Sequence, residues 1–132
     1  MDIAFLTGGT GFLGGNLARL LVEKGLRVRV LARKNSDKRN LSGLPVEIVE
    51  GGLQDRQALE IGCRGARYVF HLAADYRIWA PDPTEMYETN VEGTKKVLTA
   101  AMKAKAEKIV YCSSVAAVRP PDKKIPSTEE NK

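Results

Sequence analysis

The sequence has few of the residues that build disulfide frameworks or metal centres, and it has no long apolar run. It holds two cysteines, Cys63 and Cys112, and one histidine, His71, among 132 residues. Two distant cysteines do not suggest a disulfide scaffold or a zinc site, and they favour a reducing, cytoplasmic compartment. No apolar run approaches the roughly 18–20 residues of a membrane helix, so we expect no membrane span. Without a second histidine, His71 is interpreted as a packed strand residue, not a base or a metal ligand.

The net charge of the chain comes from one segment. The sequence carries 21 basic and 16 acidic residues, a formal charge of +5. Residues 19–39 alone hold eight basic and two acidic side chains, a net charge of +6. No aromatic residues that would stack on bases are interleaved with these positive charges, so the pattern does not favour a nucleic-acid partner. It favours a local anion site instead.

Short apolar runs alternate with helical patterns along the chain. Candidate strands lie at 2–7, 27–31, 46–49, 68–72 and 108–112, and candidate helices at 13–24, 54–61 and 82–104. The polar stretch 34–43 contains no convincing helix. Because strands alternate with helices, we predict an α/β fold, a Rossmann-like doubly wound parallel sheet of about five strands in the order 3-2-1-4-5. This domain covers residues 1–118, and a polar, proline-containing tail covers 119–132.

The last predicted helix has a recognisable start. Asp82 is the predicted N-cap, Pro83 the first helical residue, and Glu85 completes a capping box. The helical period then places a set of mostly apolar residues on one face: Tyr87, Val91, Leu98 and Ala101.

A glycine-rich turn joins the first predicted strand to the first predicted helix. Residues 7–14 read TGGTGFLG, which fits G-x-x-G-x-x-G from Gly8 and G-x-G-x-x-G from Gly9. Such glycines permit a tight turn, close approach of a pyrophosphate to the backbone and close helix–strand packing, while the helix N-terminus offers free amides. No Gly-Lys-Ser/Thr follows, so the turn is not a P-loop. It predicts a dinucleotide site; a turn that merely requires glycines is the simpler alternative.

The end of the second predicted strand indicates which dinucleotide binds. NAD sites usually place an Asp or Glu there for the ribose hydroxyls, whereas an Arg suits the 2′-phosphate of NADP. This sequence has Arg33 there, with Lys34, Lys38 or Arg39 as helpers; the simpler alternative is a solvated basic loop beside a site that takes either cofactor. A guanidinium binds a phosphate through two parallel hydrogen bonds. We therefore predict NADP. NAD is the alternative, because Asp37 of the same loop could turn towards the ribose hydroxyls.

Three further motifs accompany the glycine-rich turn. They are Phe70-His71-Leu72-Ala73-Ala74, Asn90-Val91-Glu92-Gly93-Thr94 and Val110-Tyr111-Cys112-Ser113-Ser114. Together the motifs resemble the extended short-chain dehydrogenase/reductases, in particular the NAD-dependent epimerase/dehydratase and dihydroflavonol 4-reductase group. The stretch 73–83 is similar to that of the bacterial hopanoid-associated sugar epimerases. The resemblance extends to about Val118.

The resemblance implies a role for each matching residue of the cofactor site. The pyrophosphate would lie on the glycine-rich turn: Gly8, Thr10, Gly11, Phe12, Leu13 and Gly14. Arg33 would meet the 2′-phosphate, and Leu53 would flank the adenine. The ribose and nicotinamide would be lined by three consecutive residues: Leu72, Ala73 and Ala74.

The resemblance also implies residues that serve the substrate. Ser114 would be the catalytic serine that hydrogen-bonds the substrate oxygen, and Asn90 would brace the sheet beside it. Three residues of the loop after the fourth strand would shape a pocket for a small-molecule substrate: Tyr76, Arg77 and Trp79. Trp79 is equally consistent with a place in the core.

Two departures from the family pattern limit what these residues can do alone. Gly52 stands where the family commonly has an Asp that fixes the adenine. The family's general acid, a Tyr with a Lys four residues later on the helix after the fifth strand, is absent. We therefore expect the N-terminal, cofactor-binding portion of a reductase or epimerase, which transfers hydride between a nicotinamide and a sugar-like or carbonyl substrate, without turnover by this portion alone.

Alternatives outside catalysis remain open. One is a non-catalytic module that senses NADP(H) or docks to a partner. If the fifth strand forms an exposed edge, it favours self-association, for example as a homodimer.

Overall fold

Parallel strands form the centre of the molecule. The computed structural model describes residues 1–118, 126–128 and 130, and the predicted tail therefore lies mostly outside the described residues. Within these residues the strands are β1 Ile3–Thr7, β2 Arg27–Ala32, β3 Val46–Glu50, β4 Ala66–His71 and β5 Lys108–Tyr111. All pairings are parallel and the order is β3-β2-β1-β4-β5. The predicted Rossmann-like sheet is confirmed.

Helices connect the strands. They are α1 Phe12–Glu23, α2 Arg56–Cys63, α3 Thr84–Tyr87 and α4 Thr94–Lys103, with a π-helical segment Glu88–Gly93 between α3 and α4. Short 3₁₀ turns lie at Arg39–Leu41 and Val115–Ala117. In the described part of the chain, none of these helices is long and apolar enough to cross a membrane.

The central strand β1 is buried on both faces of the sheet, because its successive side chains point to opposite sides and helices pack on each side. Phe5 packs among apolar side chains of α2 and α4, including Leu59 and Val97. Its neighbour Leu6 packs with Leu21 of α1 on the other face. Both β1 residues are fully buried, as a short apolar strand of a parallel sheet requires.

One 3₁₀ turn corrects the expectation that residues 34–43 contain no helix. Arg39–Leu41 forms this turn after β2. Leu41 is only 5% exposed and belongs to the core on the α1 face. Asp37 starts the turn by accepting a hydrogen bond from the Arg39 amide at 2.9 Å. One apolar residue in a charged stretch has no periodicity, so the sequence pattern missed it.

The predicted capping box of the last helix is wrong. Asp82 accepts a hydrogen bond from the Thr84 amide at 2.9 Å, but Pro83 is the N-cap and no side chain caps the helix. Glu85 does not reach back to the helix start, because its carboxylate binds Arg77 at 3.1 Å. Glu85 thus forms an ion pair with the preceding loop instead of a hydrogen bond to the helix start.

The predicted apolar face of the same helix is only partly correct. The wide π turn at Glu88–Gly93 shifts the register of everything before it relative to α4. The buried positions therefore follow the sequence Gly93, Val97, Ala100 and Ala101. Tyr87, predicted on this face, is 57% exposed.

Candidate functional site

A cleft opens where the strands β1, β2 and β4 end. It has a volume of about 860 Å³ and lies at the carboxyl edge of the sheet, next to β1, where the crossovers change direction. This is the edge at which doubly wound sheets bind ligands. Eight of the predicted cofactor residues line it: Gly8, Thr10, Gly11, Arg33, Leu53, Leu72, Ala73 and Ala74.

The glycine-rich turn forms the floor of the cleft. Gly8 has φ +76°, and a Cβ there would lie 2.7 Å from the Ala73 amide nitrogen. A side chain at Gly14 would overlap the Gly8 carbonyl. The Gly11 amide donates to that same carbonyl at 3.1 Å. The turn therefore requires glycine for its backbone conformation and for the close approach of β1, α1 and the end of β4.

The first turn of α1 starts at this floor. Its N-cap is Gly11, which has no side-chain capping group, and the first intrahelical bond runs from the Gly15 amide to the Gly11 carbonyl at 2.9 Å. The amides of Phe12, Leu13 and Gly14 precede that bond and have no intrahelical acceptor. The side chains of Phe12 and Leu13 are exposed and do not line the cleft. Any contact they make with a pyrophosphate would come from these amides.

The loop after β2 presents one basic side chain to the cleft. Arg33 lines it and is exposed. The Lys38 ammonium instead binds loop carbonyls, at 2.8 Å from Lys34 and 3.2 Å from Arg33. Asp37 accepts a hydrogen bond from the Arg39 side chain at 2.8 Å, which lowers the pKa of Asp37. Among the lining residues that the structure describes, none of the proposed helpers appears beside Arg33.

Small residues surround Arg33 on the β2–β3 side of the cleft. Gly52 lines it, and a Cβ at Gly52 would lie 4.0 Å from the Arg33 Cγ. No carboxylate lines this side within the described residues, since the acidic lining residues, Asp75 and Glu85, follow β4. Gly52 thus leaves space beside the Arg33 side chain, and no described lining residue on this side carries a negative charge.

A buried hydrogen-bond network fixes the β4 side. His71 is fully buried, with Nδ1 2.7 Å from the Thr7 hydroxyl and Nε2 2.9 Å from the Thr94 hydroxyl. Thr94 donates its proton to the Asn90 carbonyl at 2.7 Å, so it accepts from His71 Nε2–H. His71 Nδ1 then accepts a hydrogen bond from the Thr7 hydroxyl. The oxygen of that hydroxyl accepts a hydrogen bond from the Ala73 amide at 3.3 Å. The network has one consistent arrangement, with a neutral histidine.

Burial lowers the pKa of His71 to about 4. The ring also stacks on Tyr111 of β5, with centroids 5.4 Å apart. A neutral, fully bonded ring away from the cleft lining matches the interpretation of His71 as a packed strand residue, and the structure adds that it connects β1, β4 and α4.

Asn90 holds the loop that follows β4. Its side chain accepts from the Asp75 amide at 2.7 Å and donates to the Asp75 carbonyl at 2.8 Å. Asn90 was predicted to brace the sheet; in the structure its side chain braces the loop after β4 instead. Arg77 lines the cleft and binds the carboxylates of Asp75 and Glu85. Tyr76 also lines the cleft, whereas Trp79 is 76% exposed and so lies outside the core.

Ser114 lies outside the cleft lining. It is exposed, and its hydroxyl accepts a hydrogen bond from the Ala116 amide at 3.1 Å, which caps the 3₁₀ turn Val115–Ala117. Its catalytic role stays a prediction.

Sequence reasoning missed several lining residues. Ser36, Gln54 and Thr89 line the cleft but belong to no motif. Thr7 and Thr94 stand within two of the motifs, but their contact with His71 was not predicted. The one available signal was that Thr7 ends a fully apolar strand, where a polar side chain needs a buried partner.

The glycine cradle, the unpaired helix amides and the cleft fit a dinucleotide, and together they define a nucleotide-binding Rossmann domain. The model of the NAD dependent epimerase/dehydratase family matches residues 4–132, and the chain belongs to this family.

Individual relatives agree with this assignment. A Synechocystis protein that carries the name dihydroflavonol 4-reductase is 47% identical over 120 residues, which cover 89% of this chain and 34% of that protein. The crystal structure of gox2253 is 45% identical with a TM-score of 0.86, over 96% of this chain and 38% of that one. A short-chain dehydrogenase/reductase superfamily protein from Agrobacterium tumefaciens, with bound NAD, is 34% identical with a TM-score of 0.82, over 99% and 38%. This chain spans about a third of the length of its curated relatives.

Proposed function

We propose that the cleft binds NADP(H) and that this chain is the cofactor-binding portion of an NADP-dependent reductase or epimerase. The observation that carries the proposal is Arg33, which lines the cleft beside Gly52 on a side where no described lining residue is acidic. A guanidinium suits the 2′-phosphate that distinguishes NADP from NAD.

The position of Asp37 supports NADP over NAD. Asp37 does not line the cleft, and its carboxylate accepts hydrogen bonds from the Arg39 side chain and amide. The Agrobacterium relative binds NAD, so NAD remains the alternative that the experiment must distinguish.

The bound cofactor supplies the hydride chemistry, and the protein supplies binding and orientation. The amides at the start of α1 would bind the pyrophosphate, and Leu53 would flank the adenine. The buried network around His71 holds the Ala73 backbone, against which the nicotinamide side of the cofactor would lie. The substrate of the whole protein would be a sugar-like or carbonyl compound. The two free cysteines fit a cytoplasmic location.

Calorimetric titration tests the cofactor assignment. We expect the chain to bind NADP⁺ more tightly than NAD⁺, and Arg33→Ala to weaken NADP⁺ about 10-fold or more, as expected for loss of hydrogen bonds to a charged group. NAD⁺ affinity should change less than about twofold, because NAD lacks the phosphate. Lys34→Ala is the matched control, since it removes the same charge from a neighbouring exposed residue outside the cleft lining. Equal affinity for both cofactors, or equal loss of both in Arg33→Ala, contradicts the assignment.

We also propose that these residues bind the cofactor without turning over a substrate, because the sequence contains no Tyr-x-x-x-Lys pair. NADPH oxidation should stay at the buffer rate when the purified chain is mixed with aromatic and aliphatic ketones. Oxidation that depends on both the chain and a ketone contradicts this proposal.

A further inference from the structure

The loop that carries Arg33 folds back onto the glycine-rich turn. The Asn40 side-chain amide donates a hydrogen bond to the Thr10 carbonyl at 2.9 Å, across 30 residues of sequence. Asn40 belongs to the 3₁₀ turn Arg39–Leu41. The loop proposed to bind the 2′-phosphate and the turn proposed to bind the diphosphate are therefore joined by one side chain, which none of the sequence motifs includes.

Neighbouring contacts fix the position of Asn40. The next residue, Leu41, is anchored in the core on the α1 face. Asp37 holds the start of the turn through the Arg39 amide. On the α1 side, a Cβ at Gly15 would lie 2.8 Å from the Asn40 Cβ, so only a glycine there admits this close approach. The contact thus has anchoring residues on both sides of it.

The peptide between Thr10 and Gly11 is held at both ends. Its carbonyl accepts from Asn40, and its N–H donates to the Gly8 carbonyl at 3.1 Å. A peptide unit is planar, so these two bonds fix its orientation. Gly11 is the N-cap of α1, and both residues of the peptide line the cleft. Its orientation therefore determines where the first amides of α1 point.

We infer that Asn40 is a positioning residue for the diphosphate of the cofactor. The inference rests on the proposed function, but it concerns a different phosphate from the one assigned to Arg33. Asn40 acts through the Thr10–Gly11 peptide on the diphosphate that NAD and NADP share, whereas Arg33 acts on the 2′-phosphate that only NADP has. Loss of Asn40 should weaken both cofactors alike and leave their ratio unchanged.

Two ligand fragments separate these effects. ADP-ribose has the diphosphate without a 2′-phosphate, and adenosine 2′-monophosphate has the 2′-phosphate without a diphosphate. Asn40→Asp keeps the shape of the side chain and removes the donor; Asn35→Asp adds the same charge at an exposed position of the same loop. Relative to Asn35→Asp, we expect Asn40→Asp to weaken the binding of ADP-ribose about 3- to 10-fold, which is the range for one lost hydrogen bond. The binding of the monophosphate should weaken by less than about twofold.

A ligand-free measurement accompanies the titrations. The Gly11 amide resonance should move in Asn40→Asp and in the uncharged variant Asn40→Ala, and it should stay in place in Asn35→Asp. The inference is overturned if Asn40→Asp and Asn35→Asp bind ADP-ribose equally, or if Asn40→Asp weakens both fragments by the same factor. If the parent chain shows no preference for NADP⁺ while Asn40→Asp still weakens ADP-ribose, the NADP assignment fails and the role of Asn40 stands. If the parent binds neither fragment, both fail.

Discussion

The buried His71 predicts a specific loss of stability in mild acid. It is the chain's one histidine and is fully buried, and burial lowers its pKa from 6.5 to about 4. Because the folded state has the lower pKa, the unfolded chain binds the proton first as the pH falls. The stability that neutral His71 contributes is therefore complete above pH 6.5 and is lost progressively towards pH 4.

The two pKa values set the size of this loss. At pH 5 the unfolded chain is almost fully protonated at His71, while the folded chain, with a pKa of about 4, is mostly neutral. Proton linkage then lowers the free energy of unfolding by about 2 kcal/mol between pH 7 and pH 5. For a domain with a typical stability of about 5–15 kcal/mol, a loss of this size is readily measured.

Urea unfolding at pH 7, 6 and 5 measures the loss, with His71→Gln as the comparison. A glutamine retains one acceptor and two donors for Thr7 and Thr94 but does not titrate. The carboxylates titrate in both proteins, so the difference between the two pH profiles reports His71 alone. Parallel profiles would show that His71 does not cause the loss of stability in acid. Should the variant fail to fold at pH 7, ¹⁵N NMR of the parent decides, since His71 must be the neutral Nε2–H tautomer at pH 5.

Two further predictions use the packing of single residues. Gly8→Ala should destabilise the fold by about 1–3 kcal/mol more than Gly25→Ala in urea unfolding. The two glycines have nearly the same φ, +76° and +78°, but a Cβ at Gly8 would lie 2.7 Å from the Ala73 nitrogen, whereas a Cβ at Gly25 would have nothing within 4 Å. Equal destabilisation would contradict this packing. Cys63 is buried, which raises its pKa to about 11, whereas Cys112 is exposed. A thiol reagent at pH 8 should therefore label one thiol in the native chain and two in urea, and two fast-reacting native thiols would refute the burial of Cys63.

The sequence predicts well the features that depend on local pattern. A short apolar strand followed by closely spaced glycines and a helical stripe permits few structures, so β1, the glycine-rich turn and α1 could be identified. The parallel sheet follows from the alternation of strands and helices, and its strand order was predicted from the pattern of the doubly wound Rossmann sheet. Most of the cleft lining follows in turn, because these residues stand directly after strands.

Features that depend on contacts across long sequence distances could not be predicted. Asn40 sits in a charged loop, and its contact with Thr10 becomes apparent only when that loop packs on α1. Glu85 has the right spacing for a capping box, but its carboxylate forms an ion pair with Arg77 of the preceding loop instead. The π turn at Glu88–Gly93 has no sequence signal in this chain, and it moved Tyr87 off the buried face.

Amide chemical-shift mapping with NADP⁺ tests directly whether the cleft at the carboxyl edge of the sheet binds the cofactor. The amides that shift should cluster on the cleft lining: Gly8, Gly11, Arg33, Leu53 and Ala73. The Arg33 shift should be absent or much smaller with NAD⁺, which lacks the 2′-phosphate. Shifts confined to β5 or to the exposed face of α4, with the glycine-rich turn unchanged, would show that the cofactor binds outside the cleft.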